Sequence, residues 1–371
     1  MTHSMHGIIF SYAEPTALRE LIEPRCAGSI PFAGRYRIVD FMLSNMVNAS
    51  VSDVGVVMHG KVQSLIDHLG TGKDWDLSRK HGGLKLLPLF APAGLTGDSA
   101  FHGRVAALAG VLSYVKGIRQ EYVVLADSDI IINLPLEEVL AAHIASGADV
   151  TAVCTADKNA CPDSPCFTLD GEGNITAVEV GLSAPKGYRS LEIYVIAKEK
   201  LLSLLEACNS RNVTSWSRGV LQGAAGELAL RAYVWGGYAA KITSLQQYYD
   251  RSRELLDPAV CRELFRPDRP IRAKDSGDPS TYIDEGVRVT NSLIADGCSI
   301  EGNVEDSILF PGVQVEKGAE VRHCILFKDT VIGAGSVLHY AILDKRTRVL
   351  SGRTLMGHEK YPLLVGKDTE I

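Results

Sequence analysis

A repeat in the C-terminal part of the chain constrains the fold more than any other feature. Ser307-Ile308-Leu309, Cys324-Ile325-Leu326 and Ala341-Ile342-Leu343 recur at intervals of 17 residues, and Gly318, Gly335 and Gly352 recur at the same spacing. An earlier copy, Ser292-Leu293-Ile294, lies 15 residues upstream of the first. Within each copy, short aliphatic pairs such as Val313/Val315 and Val331/Ile332 alternate with Gly or Asp turns. About three six-residue faces per coil describe a triangular solenoid, whose coils bury small aliphatic side chains only against their neighbours. The expectation is a left-handed parallel β-helix over 283–371. An ordinary β-sandwich is the alternative, disfavoured because such fixed periodicity is rare there. The four copies are near the minimum for a stable stack, so the solenoid is expected to dock onto the rest of the chain or another subunit.

The first 245 residues follow a different rule. Gly7–Phe10, Val54–Met58, Tyr122–Ala126 and Val150–Cys154 are short β-branched apolar runs, too apolar for half-exposed strands. Between them Phe41–Ala49, Val62–Leu69 and Leu136–Ala145 carry helix-like apolar spacing, the last just after Pro135. This alternation predicts an α/β domain over 1–245: a mostly parallel, Rossmann-like sheet with helices on both faces and ligands beyond the carboxyl ends of the strands. Leu245–Leu264 is helical and charged, and Pro267, Pro270 and Pro279 then punctuate a polar stretch. Proline at that density forbids a long helix, so 246–282 is expected to be a helical and proline-rich linker.

With 371 residues, each of two domains can bury its own core. A net charge of -6 argues against a general nucleic-acid surface, so any basic site must be local. The eight cysteines show no zinc-like spacing, and no run approaches the roughly 20 apolar residues of a membrane helix. The expectation is a soluble, cytoplasmic protein without a secretory signal, a metal of its own or a membrane partner.

Pro31-Phe32-Ala33-Gly34-Arg35-Tyr36-Arg37-Ile38-Val39-Asp40-Phe41-Met42-Leu43-Ser44-Asn45 resembles the PFGGKYRIIDFxLSN segment of bacterial glucose-1-phosphate adenylyltransferases. Trp75-Asp76-Leu77 with Gly82-Gly83, then Tyr122–Asp129 and the solenoid, extend the resemblance over essentially the whole chain. It implies a nucleotidyltransferase fold and the reaction of ATP with glucose 1-phosphate to ADP-glucose and pyrophosphate. That chemistry needs a glycine-rich loop against the triphosphate, cations at the leaving pyrophosphate and paired aspartates holding Mg²⁺.

Each need is tested by residues that depart from the family's pattern. The loop LAGGxGTRL aligns with Phe10–Leu18, where Tyr12, Ala13 and Pro15 replace glycines, Glu14 stands at the variable position and Ala17 replaces the catalytic arginine. Side chains block close approach and proline removes a donor. A carboxylate about 4 Å from one phosphate charge costs about 4 kcal/mol at an effective dielectric near 20. The lysine of the family's AKP segment becomes Ala27, followed by Gly28, and the aspartate of YRGTAD becomes Ala106 within Phe101–Ala106. The lysine expected within Val178–Pro185 to hold the sugar phosphate is absent. Asp129 is the residual metal-type aspartate. In the GYWRDVGT-like stretch Gly237–Ser244, Lys241 stands where the second metal aspartate belongs, and is expected to pair with Asp129. For Asp127 and Asp129, the competing reading is a strand-end turn that caps backbone donors.

Arg25 and Arg37 match family positions of an anionic effector site, Arg35 lies between them, and Lys345, Arg346, Arg348 and Arg353 cluster on the solenoid. A solvated basic face accounts for them equally well. The resemblance implies a non-catalytic, regulatory subunit that pairs with a catalytic glucose-1-phosphate adenylyltransferase chain, as a heterotetramer, with Mg²⁺ and ATP bound at that catalytic partner. Two alternatives stay open: an active nucleotidyltransferase with an unorthodox site using Asp129 and Lys241, or a module that senses sugar phosphate or nucleotide without turnover.

Overall fold

The computed structural model describes residues 4–12, 15–89, 103–181, 187–223, 226–275 and 277–371. The run around Gly7–Phe10 forms the strand Met5–Ser11, buried throughout. It lies inside a nine-stranded sheet, parallel to Asp53–Met58 on one side and Tyr122–Asp127 on the other, with Gly83–Pro88 continuing in parallel. Successive side chains of a strand face opposite ways. Ile9, Val124 and Ala126 accordingly join one core, with helices Ile38–Asn48, Gln63–Leu69 and Leu136–Ser146. Ile8, Phe10, Val123 and Leu125 join another, with helices Arg104–Gly110 and Lys198–Ser210. Pro135 is the N-cap of its helix rather than its first turn.

Past Tyr122–Asp127 the sheet is mixed. Tyr188–Ala197 runs antiparallel to both Tyr122–Asp127 and Val150–Thr155, and the latter pairs in parallel with Leu230–Trp235. A parallel return needs a long crossover, usually a helix. Between Val150–Thr155 and Tyr188–Ala197 the described residues supply only the antiparallel strands Cys166–Leu169 and Ile175–Glu179.

The PFAGRYRIVDF-type segment acquires a structural explanation. Asp40 accepts from the Arg37 backbone at 2.9 Å and meets His68 Nε2 at 2.6 Å. Asn45 donates to the Ile132 carbonyl and accepts from the Leu134 amide, tying the helix Ile38–Asn48 to the strand Ile130–Ile132 and the segment after it. Ser44 bonds the Arg272 backbone, and Asn133 donates to the carbonyls of Leu264 and Arg269, so the proline-rich stretch is strapped onto the α/β domain.

The solenoid comprises three parallel sheets of five strands each. There are thus five coils instead of the four countable from the repeat: Leu363–Val365 pairs with Ala341–Leu343, but a turn bridged between His358 and Tyr361 breaks the period before it. Each triplet of the repeat follows a corner residue in left-handed backbone, namely Asn291, Asp306, His323 and Tyr340. Another corner recurs at Gly318, Gly335 and Gly352, with φ of 75°, 67° and 72°, the reason glycine keeps the period there.

A third core joins the two halves of the molecule. Leu18, Leu21, Phe32 and Phe41 meet Ile308, Phe310, Ile325, Phe327 and Ile342, with Tyr248 and Tyr249 from the helix Leu245–Glu254 between them. The two tyrosines divide their hydroxyls: Tyr248 donates to the Pro31 carbonyl and Tyr249 to that of His323, each at 2.7 Å.

Candidate functional site

Tyr122–Asp127 ends where ligands of such sheets sit, and what it presents there is a closed knot of charge. Lys241 Nζ lies 2.8 Å from Asp127 Oδ2 and 3.7 Å from Asp129 Oδ1. The principal partner of Lys241 is therefore Asp127, not Asp129. The antiparallel pairing of Ala239–Lys241 with Ile130–Ile132 sets this register. On the other side Arg104 donates to Asp127 Oδ1 at 2.7 Å and to Glu192 Oε2 at 3.1 Å. Both aspartates face cations, and Asp129 also takes a backbone hydrogen bond from its own residue.

Local structure explains why these groups converge. Arg104 opens its helix after Gly103, whose φ of 115° and contact with the Thr214 carbonyl leave no room for a Cβ. Its guanidinium lies 5.1 Å from the Phe10 ring centroid and 4.9 Å from that of Tyr194. Glu192 has a φ of 55° at a register shift between Ser190 and Ile193, a bulge that turns its carboxylate into the knot. Burial opposes the charge on Asp127, but Arg104 and Lys241 outweigh it and hold the carboxyl down at about 2. Burial raises Asp129 to about 6 against the pull of Lys241. Lys241 itself, penalised by burial, is held well above its ordinary value by Asp127 and Asp129.

Mg²⁺ does not fit these residues. An ammonium occupies the position between the two aspartates and a guanidinium takes the remaining oxygen of Asp127, so a divalent ion would meet two cations before any free carboxylate. Among the described residues no group of three His, Cys, Asp or Glu side chains is placed to hold a metal. The nucleotide loop is equally altered. Tyr12 stands beside the Arg104–Asp127 pair, Pro15 precedes a short 3-10 helix over Thr16–Ile22, and Ala17 is exposed on it; Glu14 lies outside the described residues. Ala27 is buried, and a Cβ on Gly28 would collide with the Ser128 side chain, so that wall is filled from within. Ala106 is half-buried on the helix that Arg104 begins. Of the segment scanned for a sugar-phosphate lysine, 182–186 lie outside the described residues.

The second candidate region lies between the halves of the molecule. Arg35, Arg37, Lys274, Lys328 and Lys345 line a cavity of about 340 Å³ together with His68, Asp275, Phe310 and Pro311. Arg37 gives its guanidinium hydrogen bonds to neutral acceptors, the Ser64 carbonyl at 2.6 Å and hydroxyl at 2.9 Å, with the carboxylates of Asp40 and Asp67 acting on its charge without a direct ion pair. Burial, followed by the charges of Arg37 and Arg25, pushes Lys345 down to about 7. An anion in the cavity would favour the charged form of this lysine against both its burial and the neighbouring cations.

Not all the predicted basic residues belong to this cavity. Arg25 is 2% exposed and locked to Asp344 at 2.7 Å, a buried clamp between the domains rather than a ligand contact. Arg346 pairs with Asp368 and Arg348 approaches Glu370 at 3.9 Å, both on the outer surface, while Arg353 is exposed beside the Gly352 corner. Corner geometry separates them: Arg346, with a φ of 57°, turns the chain away from the face that Lys345 presents. Arg104, Glu192, Lys274 and Lys328 complete the two regions and were not singled out from sequence. For Glu192 a signal existed, a lone charge inside the apolar run Leu191–Ala197.

Fold and site together define the class: a nucleotidyltransferase domain carrying a hexapeptide-type β-helix. Residues 8–164 match the Nucleotidyl transferase family and residues 280–360 match the family of GlmU-like, C-terminal hexapeptides. The chain is 33% identical to the glycogen biosynthesis protein GlgD of Bacillus subtilis (strain 168), over 98% of this chain and 96% of that protein. It is 36% identical to the protein of the same description from Geobacillus stearothermophilus, over 86% and 84%. With a glucose-1-phosphate adenylyltransferase of Bacillus cereus (strain Q1) identity is 30%, over 90% and 89%. The chain belongs to this GlgD and glucose-1-phosphate adenylyltransferase family.

Proposed function

We propose that this chain is a regulatory, catalytically deficient subunit of glucose-1-phosphate adenylyltransferase and serves glycogen biosynthesis, in the cytoplasm, by pairing with a catalytic chain. The observation that carries the reading is the Lys241–Asp127–Arg104 knot, which neutralises internally the carboxylates that metal-assisted nucleotidyl transfer would use. The printed descriptions of its relatives, which include both glycogen biosynthesis proteins and adenylyltransferases, support the same reading. Mg²⁺ and ATP then bind at the catalytic partner, within a heterotetramer.

The role left to this chain is to bias the partner between two states. A sugar phosphate held by Arg35, Arg37, Lys328 and Lys345 would touch both domains at once, so its affinity depends on how they are docked. The alternative of an active enzyme built on Asp129 and Lys241 requires these two groups to be free for substrate, whereas both are engaged in the knot.

The test is an ADP-glucose assay of the purified chain alone and after mixing with the catalytic subunit. The expected result is no synthesis alone and, in the mixture, altered turnover or altered response to sugar phosphates. Appreciable synthesis by the lone chain defeats the proposal.

A further inference from the structure

We propose an additional anion-binding site at the opposite pole of the sheet, built on His6, Lys80, Lys85 and Arg119 and suited to a small phosphorylated metabolite carrying two or more negative charges. The strands Met5–Ser11, Asp53–Met58, Gly83–Pro88 and Tyr122–Asp127 run in parallel, so their amino ends share one pole. A cavity of about 620 Å³ opens there. The six residues of Tyr122–Asp127 put it roughly 20 Å from the Lys241 knot. The inference does not rest on the function proposed above.

Three observations carry it. First, charge is unbalanced: Lys80, Lys85, Arg119 and His81 line the cavity with Asp53 as the carboxylate. Asp53 is already occupied, accepting from Ser52 Oγ at 3.0 Å and from Gln120 Nε2 at 2.6 Å. No ion pair joins Lys80, Lys85 or Arg119 to a carboxylate among the described residues, and Lys85 instead lies 5.5 Å from the Tyr114 ring centroid. Second, the cavity has a buried polar floor. His6 is 4% exposed; its Nε2 meets the Tyr114 hydroxyl at 2.9 Å, while Nδ1 is buried without a well-formed hydrogen bond, with the Gln120 side chain as its polar neighbour. Burial keeps the ring neutral by pulling it down to about 4, despite Asp53 nearby. If the Tyr114 hydroxyl donates to Nε2, the ring proton sits on Nδ1, beside the Gln120 side chain that also lines the cavity.

Third, the wall is shaped to stay open. Gly82 has a φ of 82°, and a Cβ there would collide with the Asp53 carboxylate, so only glycine lets the Lys80–His81 turn approach the strand ends. The volume falls in the range of small-molecule sites, and the cationic lining selects a compact polyanion.

Inorganic pyrophosphate is the probe, titrated calorimetrically into the full chain at low ionic strength. Arg35→Ala with Lys328→Ala silences the interdomain cavity and isolates this one. In that background one pyrophosphate should still bind, and adding Lys80→Ala, Lys85→Ala and Arg119→Ala should weaken it by about tenfold or more. These side chains are exposed, so the fold is not at stake. In ¹⁵N NMR the His6 ring nitrogens should shift on titration. Absence of binding in the first background, unchanged affinity in the second, or unmoved His6 signals would each overturn the assignment.

Discussion

The two charged regions, the knot and the interdomain cavity, differ in one respect that decides what each can do. In the knot at the end of Tyr122–Asp127, each cation has a carboxylate within 3.1 Å. In the cavity between the domains, Lys328 has Asp278 at 3.3 Å, but Arg37 hydrogen-bonds only neutral oxygens and Lys345 is pushed toward neutrality by burial and then by its cationic neighbours. A charge satisfied by its own chain has nothing left to offer a ligand. A charge left in surplus is a standing demand for one. The proposed loss of catalysis and the proposed binding of an anion thus rest on the same electrostatics with opposite sign.

The comparison breaks first at the clamp. Arg25→Ala strands Asp344, 1% exposed, without its cation and should cost about 3–5 kcal/mol in denaturant unfolding. A loss below about 1 kcal/mol would mean the domains do not depend on this pair. Lys241→Met should cost less, about 2–3 kcal/mol, because Asp127 keeps Arg104 while Asp129 loses its cation. Calorimetry on that variant should still detect no Mg-ATP binding; a gain of binding would show that the ammonium alone closed the pocket.

Smaller effects sharpen the other half. Arg35→Ala and Lys328→Ala should each weaken binding of a sugar bisphosphate by about tenfold, or about 1.4 kcal/mol, with little change in Tm. Lys345 gives this affinity a pH dependence whose sign is set by its depressed value. The free group is largely charged below about pH 7 and largely neutral above it, whereas an anion favours the charged form. Affinity should therefore be full below about pH 7 and fall as pH rises past it, with proton uptake near pH 8 in calorimetry. Lys345→Met should remove that slope. For stability the sign is reversed: the unfolded chain binds the extra proton between about pH 7 and its ordinary 10.5, so stability gains with pH across that window. Least affected of all, a triple Arg346→Ala, Arg348→Ala, Arg353→Ala variant should bind the bisphosphate as the native chain does.

What was legible in advance follows the same division between local and distant information. The solenoid announces itself because each coil repeats the demands of the last, and only the coil beyond the His358–Tyr361 turn escaped the count. Buried strands show as apolar runs, but strand direction does not, since Tyr188–Ala197 would look the same in either orientation. At the site, losses could be read position by position: Ala17, Ala27, Ala106 and Lys241 each depart from a motif. The replacements could not. Arg104 and Glu192 are 88 residues apart in the chain, and nothing near either names the other. Arg25 illustrates the converse: its position in a motif suggested a ligand contact, but its partner is 319 residues away.

Asp344 and Lys345 are consecutive, and Asp344 Oδ1, which takes the Arg25 guanidinium, also accepts the Lys345 amide at 2.6 Å. The fastener between the domains and the side chain proposed to meet an anion thus share a single peptide link, a lever arm of about 3.8 Å. A guest that tugged on Lys345 would tug on the fastener as well, and under the proposed function the joint between the domains would be the part of the molecule that registers its arrival.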